Sequence, residues 1–209
     1  MDRNVSVGSG ERLLDELVRA AQLASPAELP VVLNRYTEAM GLGRAVIHLV
    51  DIQQRLLVPF VEGEPELELD TSLAGWAYRT DSLRVEEGPS DGLTVWLPLA
   101  DGAERLGVVE LNMIPLDGLK LRRCRTAALL LALIITSKRT YSDTIAQRMR
   151  TRPMHLPTEM VRAFLPPRSI DTGRVVSTAV LEPAYELGGD AWRRGRTRSP
   201  RWQGCRCRV

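Results

Sequence analysis

The sequence predicts an α+β fold, an antiparallel sheet flanked by helices with a long helix after it. Three observations carry this. Two segments before residue 41 repeat apolar residues at helical spacing. Residues 44–113 hold five β-rich runs separated by turn signals. A second helical pattern starts near residue 116 and contains the longest apolar run, Ala127–Ile135.

The elements follow in order. Residues 1–10 are polar and Gly/Ser-containing, without the apolar core of a secretory signal, and are expected to be disordered. In residues 11–24, Leu13, Leu14, Leu17, Val18 and Ala21 form one helical stripe. Ser25-Pro26 ends it and opens a second helix to about Met40, with Leu29, Val32, Leu33 and Tyr36 on one face. Residues 44–51 are apolar almost throughout, which predicts a strand covered on both faces. Gln53-Gln54 turns the chain into residues 55–61, and a hairpin is the simplest connection. Residues 62–70 carry five acids and read as a solvated loop. Residues 72–79 read as a short helix and 82–86 as a short strand. Residues 93–99 and 106–113 alternate as strands around the Asp101-Gly102 turn. The last helix is expected to run from 116 to about 150, first packed on the sheet and then projecting, which suggests pairing with a second copy.

Composition narrows the class. Hydrophobic content of 44% and charged content of 26% fit a globular protein. The run at 127–135 is half the roughly 18–20 apolar residues a membrane span needs, so no membrane association is expected. Three cysteines, two of them near the C-terminus, imply no disulfide framework and fit a reducing cytoplasm. Residues 191–209 carry seven arginines and no acid. Taking those seven from the net +2 of the whole chain leaves about −5 for residues 1–190.

Three segments in order, Leu73-Ala74-Gly75-Trp76-Ala77-Tyr78-Arg79-Thr80, Leu97-Pro98-Leu99 and Gly107-Val108-Val109-Glu110-Leu111, make residues 11–140 resemble a GAF domain, a small-molecule sensor fold. The resemblance implies a ligand between the sheet and the loop segments. His48, Trp76, Tyr78, Arg79 and Trp96 are the candidates to line that space. The alternative roles are a satisfied core histidine, two core aromatics and a surface ion pair. Cys124, at the start of the long helix, reads as a small buried hydrophobe, so a covalently held chromophore is not expected. The ligand is not specified by the residues. The outgoing helix either transmits a packing change between two subunits or is a plain flanking helix.

Residues 151–168 contain Pro153, Pro157, Pro166 and Pro167 and read as a linker with a short helix over 158–165. Within it, Glu159-Met160-Val161-Arg162-Ala163-Phe164-Leu165-Pro166-Pro167 resembles the segment that precedes the catalytic domain of bacterial PPM-type serine/threonine phosphatases, the group named after sporulation stage II protein E. The match continues through Arg174-Val175-Val176 and from Glu182-Pro183-Ala184 to Gly188-Gly189-Asp190. The resemblance implies two Mn²⁺ or Mg²⁺ ions, with Asp190 at the bridging position and the Ala191 carbonyl as a neighbouring ligand. It also implies a phosphorylated anti-sigma-factor antagonist as partner protein. The family's next carboxylates do not follow in Ala191-Trp192-Arg193-Arg194. Residues 169–190 are therefore expected to be an incomplete β fragment of that domain, not holding the metals and not catalytically active. The Arg-rich stretch 191–209 is expected to be disordered, the product of a frameshift or a basic arm; nucleic acid is not expected as a partner.

The reading is thus a regulatory sensor module of a GAF/PPM-type phosphatase system, with a homodimer through the helix over 116–150. The alternatives are a metal-dependent phosphoserine phosphatase read from an incomplete sequence and a basic-tailed nucleic-acid-binding protein.

Overall fold

A computed structural model of the chain describes residues 3–87, 92–113, 116–165, 169–178 and 184–186, with side chains from residue 11 onward. Helices α1 (Arg3–Leu23) and α2 (Leu29–Ala39) precede strands β1 (Arg44–Val50), β2 (Leu56–Pro59) and β3 (Leu67–Glu68). Helix α3 (Leu73–Thr80) is followed by β4 (Arg84–Glu87), β5 (Leu93–Asp101) and β6 (Glu104–Met113). Helices α4 (Gly118–Arg139), α5 (Asp143–Arg148) and α6 (Leu156–Phe164) lead to a small hairpin, β7 (Ser169–Asp171) and β8 (Val176–Thr178).

Six strands form one sheet in the order β3-β2-β1-β6-β5-β4, and every pairing is antiparallel. Alternation assigns the two faces. Ala45, Ile47 and Leu49 of β1, Val95, Leu97 and Leu99 of β5, and Val109 and Leu111 of β6 meet Leu17, Leu33, Cys124, Leu131 and Ile135 of α1, α2 and α4. On the opposite face Val50, Trp96 and Val108 meet Ala74, Ala77 and Tyr78 of α3. The sheet is thus the middle layer, with a large apolar core on one side and a smaller one under α3.

Two glycines of the resemblance have steric reasons. A Cβ at Gly75 would lie 2.0 Å from the Leu69 carbonyl oxygen, so only glycine lets α3 sit this close to the chain before it. A Cβ at Gly107 would lie 2.0 Å from the His48 carbonyl oxygen, in the middle of the β1–β6 pairing. Pro98 lies past the end of β4, whose last pair is Arg84 with Trp96, so one side of β5 has no ladder to lose there.

Several boundaries differ from the sequence reading. The segment 1–10, expected to be disordered, is helical from Arg3. Gly8 and Gly10 hid this, since each weakens a helix by about 1 kcal/mol relative to alanine, yet the helix extends through them. The helix expected to reach 150 ends at Arg139. Thr140 Oγ1 donates to the Ser137 carbonyl at 2.7 Å, and Ser142 Oγ then accepts the Thr144 N–H at 3.3 Å as the cap of α5. Lys138, itself buried, donates to the carbonyls of Gln22 (3.4 Å) and Ala24 (2.6 Å) and ties the end of α4 to the end of α1. Helix α5 turns back and buries Ile145, so the chain does not project outward here. The short linker helix starts at Leu156, and the acidic loop contains β3. Only Ala184, Tyr185 and Glu186 of the stretch 181–190 are described. Asp190, Ala191 and the Arg-rich stretch lie outside the described residues. Among the described residues no helix is long and apolar enough to cross a membrane.

Candidate functional site

The face of the sheet under α3 carries a row of polar side chains that the opposite face lacks. Its positions are fixed by strand alternation. His48 lies between the inward-facing Ile47 and Leu49. Glu110 and Asn112 alternate with Val109 and Leu111, and Thr94 and Trp96 with Val95 and Leu97. The register of β1, β6 and β5 then brings them side by side.

The row is hydrogen-bonded along its length. Thr94 Oγ1 donates to Asn112 Oδ1 at 2.9 Å, and Asn112 Nδ2 donates to Glu110 Oε1 at 3.0 Å. His48 Nε2 lies 3.2 Å from Glu110 Oε2. The Trp96 ring is tilted against His48 at 5.8 Å between centroids, and its Nε1–H donates to Glu86 Oε1 at 2.7 Å. Burial pushes the Glu110 carboxyl up. The hydrogen bonds from His48 and Asn112 and the nearby Arg44 charge outweigh that, leaving its pKa below the ordinary value of 4.5. His48 is only 1% exposed, and its Nδ1 is buried with no hydrogen-bond partner. Whichever ring nitrogen carries the proton, Nδ1 is left as an unmatched polar atom inside the protein.

Of the five residues the sequence singles out, the structure joins three. His48 and Trp96 touch, and Tyr78 of α3 shares the cluster with Trp96. Trp76 does not join them. It lies on the outer side of α3, 48% exposed, with the Arg84 guanidinium 4.1 Å over its ring. Arg79 is the surface ion pair named as its alternative role, with Asp70 at 3.0 Å. Tyr78 and Arg79 also reach a cleft of about 420 Å³ shared with Val50, Arg105, Met149 and Thr178. Sequence reasoning missed Glu110, Asn112, Thr94 and Glu86. The signal was present in β6, where a carboxylate and an amide occupy alternate positions of a strand too apolar to lie at an edge.

The site can accept hydrogen bonds and stack against an aromatic ring. Cys124 is not part of it. It is fully buried on the other face among the helices, and burial pushes its thiol up to about 11, which leaves little thiolate at neutral pH. Among the described residues no group of three His, Cys, Asp or Glu side chains could hold a metal ion.

An antiparallel six-stranded sheet with terminal helices packed on one face and a short helix on the other is the GAF fold, and solved structures share it. The GAF domain of a phosphoenolpyruvate-protein phosphotransferase from Coxiella burnetii superposes with a TM-score of 0.57 at 14% identity, covering 64% of this chain and 96% of that one. The corresponding Acinetobacter domain gives 0.53 at 13% identity, over 63% and 95%. Free methionine-R-sulfoxide reductase from Neisseria meningitidis, solved with its substrate, gives 0.52 at 15% identity, over 65% and 93%. At such identities the likeness is one of fold. No protein-family model and no curated protein sequence matches the chain.

Proposed function

We propose that the chain is a regulatory sensor module whose α3-side sheet face takes a small molecule and whose downstream segment carries the response. The observation that carries this is the buried, unpartnered His48 Nδ1 beside the half-buried Glu110 carboxylate, on a face otherwise closed by α3. An orphaned buried polar atom is unfavourable by about 1–3 kcal/mol, which a hydrogen-bonding group on a ligand would relieve. The shared fold is compatible with a ligand-taking role, since one structural neighbour, free methionine-R-sulfoxide reductase, was solved with its substrate. The sulfoxide chemistry of that neighbour is not carried over, because at 15% identity the likeness is one of fold.

The downstream response is assigned to a PPM-type serine/threonine phosphatase system acting on an anti-sigma-factor antagonist, on the resemblance over residues 159–190. In this reading residues 11–150 do the sensing, and the resemblance from Glu159 to Asp190 marks the direction in which the phosphatase response lies. A homodimer is part of the proposal: α4 presents Leu129 and Leu133, 62% and 55% exposed, to solvent. Two assays test these assignments. A thermal-shift screen with free amino acids, nucleotides and methionine sulfoxide should give a stabilising compound whose effect is lost in Glu110→Gln. With Mn²⁺ and a phosphoserine peptide, turnover abolished by Asp190→Ala would support the phosphatase assignment, and turnover untouched by that change would count against it.

A further inference from the structure

Two of the three described residues of the stretch 181–190 are buried. Ala184 is 1% and Tyr185 7% exposed, and they pack with Ile52, Met149 and Met154 in a third small cluster, joined to both main cores through Met149. The Tyr185 hydroxyl accepts the Thr151 N–H at 2.9 Å and lies 3.0 Å from Thr151 Oγ1. The surface they meet is a shoulder at the end of β1. Ile52 donates its N–H to the Met149 carbonyl at 3.0 Å, which fastens the chain after α5 to the strand that carries His48. Asp51, just before it, is buried and accepts the N–H groups of Gln53 (3.1 Å), Arg55 (2.6 Å) and Leu56 (2.8 Å), so the turn beyond β1 is held rigid. The shoulder selects a small residue followed by a tyrosine. The first is buried in the cluster, and the second packs against Ile52 and the methionines while its hydroxyl meets a main-chain donor.

We propose that this shoulder is the output-docking surface of the sensor, that Tyr185 is the anchor holding the downstream segment on it, and that the polar face sets the strength of the grip through β1. Only the last part rests on the proposed ligand face. His48 and Ile52 are four residues apart on one continuous stretch, so a shift of β1 that repacks His48 against Glu110 also moves the Ile52–Met149 bond. Coupling of this kind is reciprocal, so loosening the anchor must also alter the surroundings of His48.

The test compares amide exchange and the histidine ring NMR signals in the full chain and in Tyr185→Phe, with no ligand added. The chain has two histidines, so His48 and His155 are readily assigned. The Thr151 amide is expected to exchange roughly tenfold faster in the variant, in proportion to the loss of one hydrogen bond. The His48 ring signals should shift, and Glu110→Gln should change the Thr151 exchange rate in turn. Thr151→Val keeps the N–H donor and should give a smaller change than Tyr185→Phe; an unchanged thermal midpoint in either variant shows that the fold persists. Unaltered Thr151 exchange in Tyr185→Phe overturns the anchor. Faster exchange with unmoved His48 signals, and no response to Glu110→Gln, overturns the coupling. A compound screen that finds no ligand leaves both results standing, which separates this inference from the ligand-face reading.

Discussion

The two faces of the sheet are built from the same strands and differ in what they bury. The face under α1, α2 and α4 closes on a large apolar cluster, from Leu17 to Ile145. The face under α3 has a smaller apolar cluster, and beside it lies the Thr94–Asn112–Glu110–His48 row, which stabilises little by comparison and leaves one ring nitrogen unmatched. Burying polar groups is unfavourable unless they are paired, so a polar row beside an apolar solution on the neighbouring face is what the ligand-face proposal rests on.

The sharpest way to break the comparison is to destroy what the faces share. Gly107→Ala forces a Cβ onto the His48 carbonyl within the β1–β6 ladder and should cost more than about 4 kcal/mol or prevent folding, read from urea melts. Below that, Leu131→Ala on the helical face should cost about 2–5 kcal/mol, because it opens a cavity in a closed core. Thr94→Val on the polar face should cost only about 1 kcal/mol, one neutral hydrogen bond. Equal costs at the two positions would remove the distinction between the faces.

Much of the first face was legible in the sequence, because periodicity reports burial against a large apolar partner. The stripe from Leu13 to Ala21 and the alternation of residues 93–99 and 106–113 translate directly into the core. The second face was legible only in part. His48, Tyr78 and Trp96 were found from residue type. Glu110 and Asn112 were not, because their alternation on an apolar strand reads as a solvated face unless the strand's central place in the sheet is also considered. The break of the last helix at Thr140 was also hidden, since Ile145 and Met149 continue the apolar face at helical spacing while Ser142 starts a new helix. Trp76 and Arg79 lie in the helix the motif indicated, Trp76 on its outer side and Arg79 at a surface ion pair beside the cleft it shares with Tyr78.

Charge sharpens the contrast with pH. The Glu110 pKa is below its ordinary value of 4.5 in the folded chain, so the unfolded chain takes up the proton first. Its contribution to stability is fully present above the unfolded value and is lost as pH falls through the folded one. Stability of the wild-type chain should therefore drop on acidification below about pH 4.5, and Glu110→Gln should drop less steeply over the same window. The smallest expected effect lies outside both faces. Leu133→Glu on the exposed side of α4 should change unfolding free energy by no more than about 0.5 kcal/mol, yet sedimentation should show a shift from dimer to monomer.

The central claim, that the α3 side of the sheet is the sensing face, is tested most directly by amide and indole NMR of the full chain titrated with the compounds of the thermal-shift screen. The account predicts perturbations that centre on the Trp96 indole and on the amides of His48, Glu110 and Asn112, and that vanish in Glu110→Gln. Perturbations confined to the α1–α4 side, or surviving unchanged in Glu110→Gln, would contradict it.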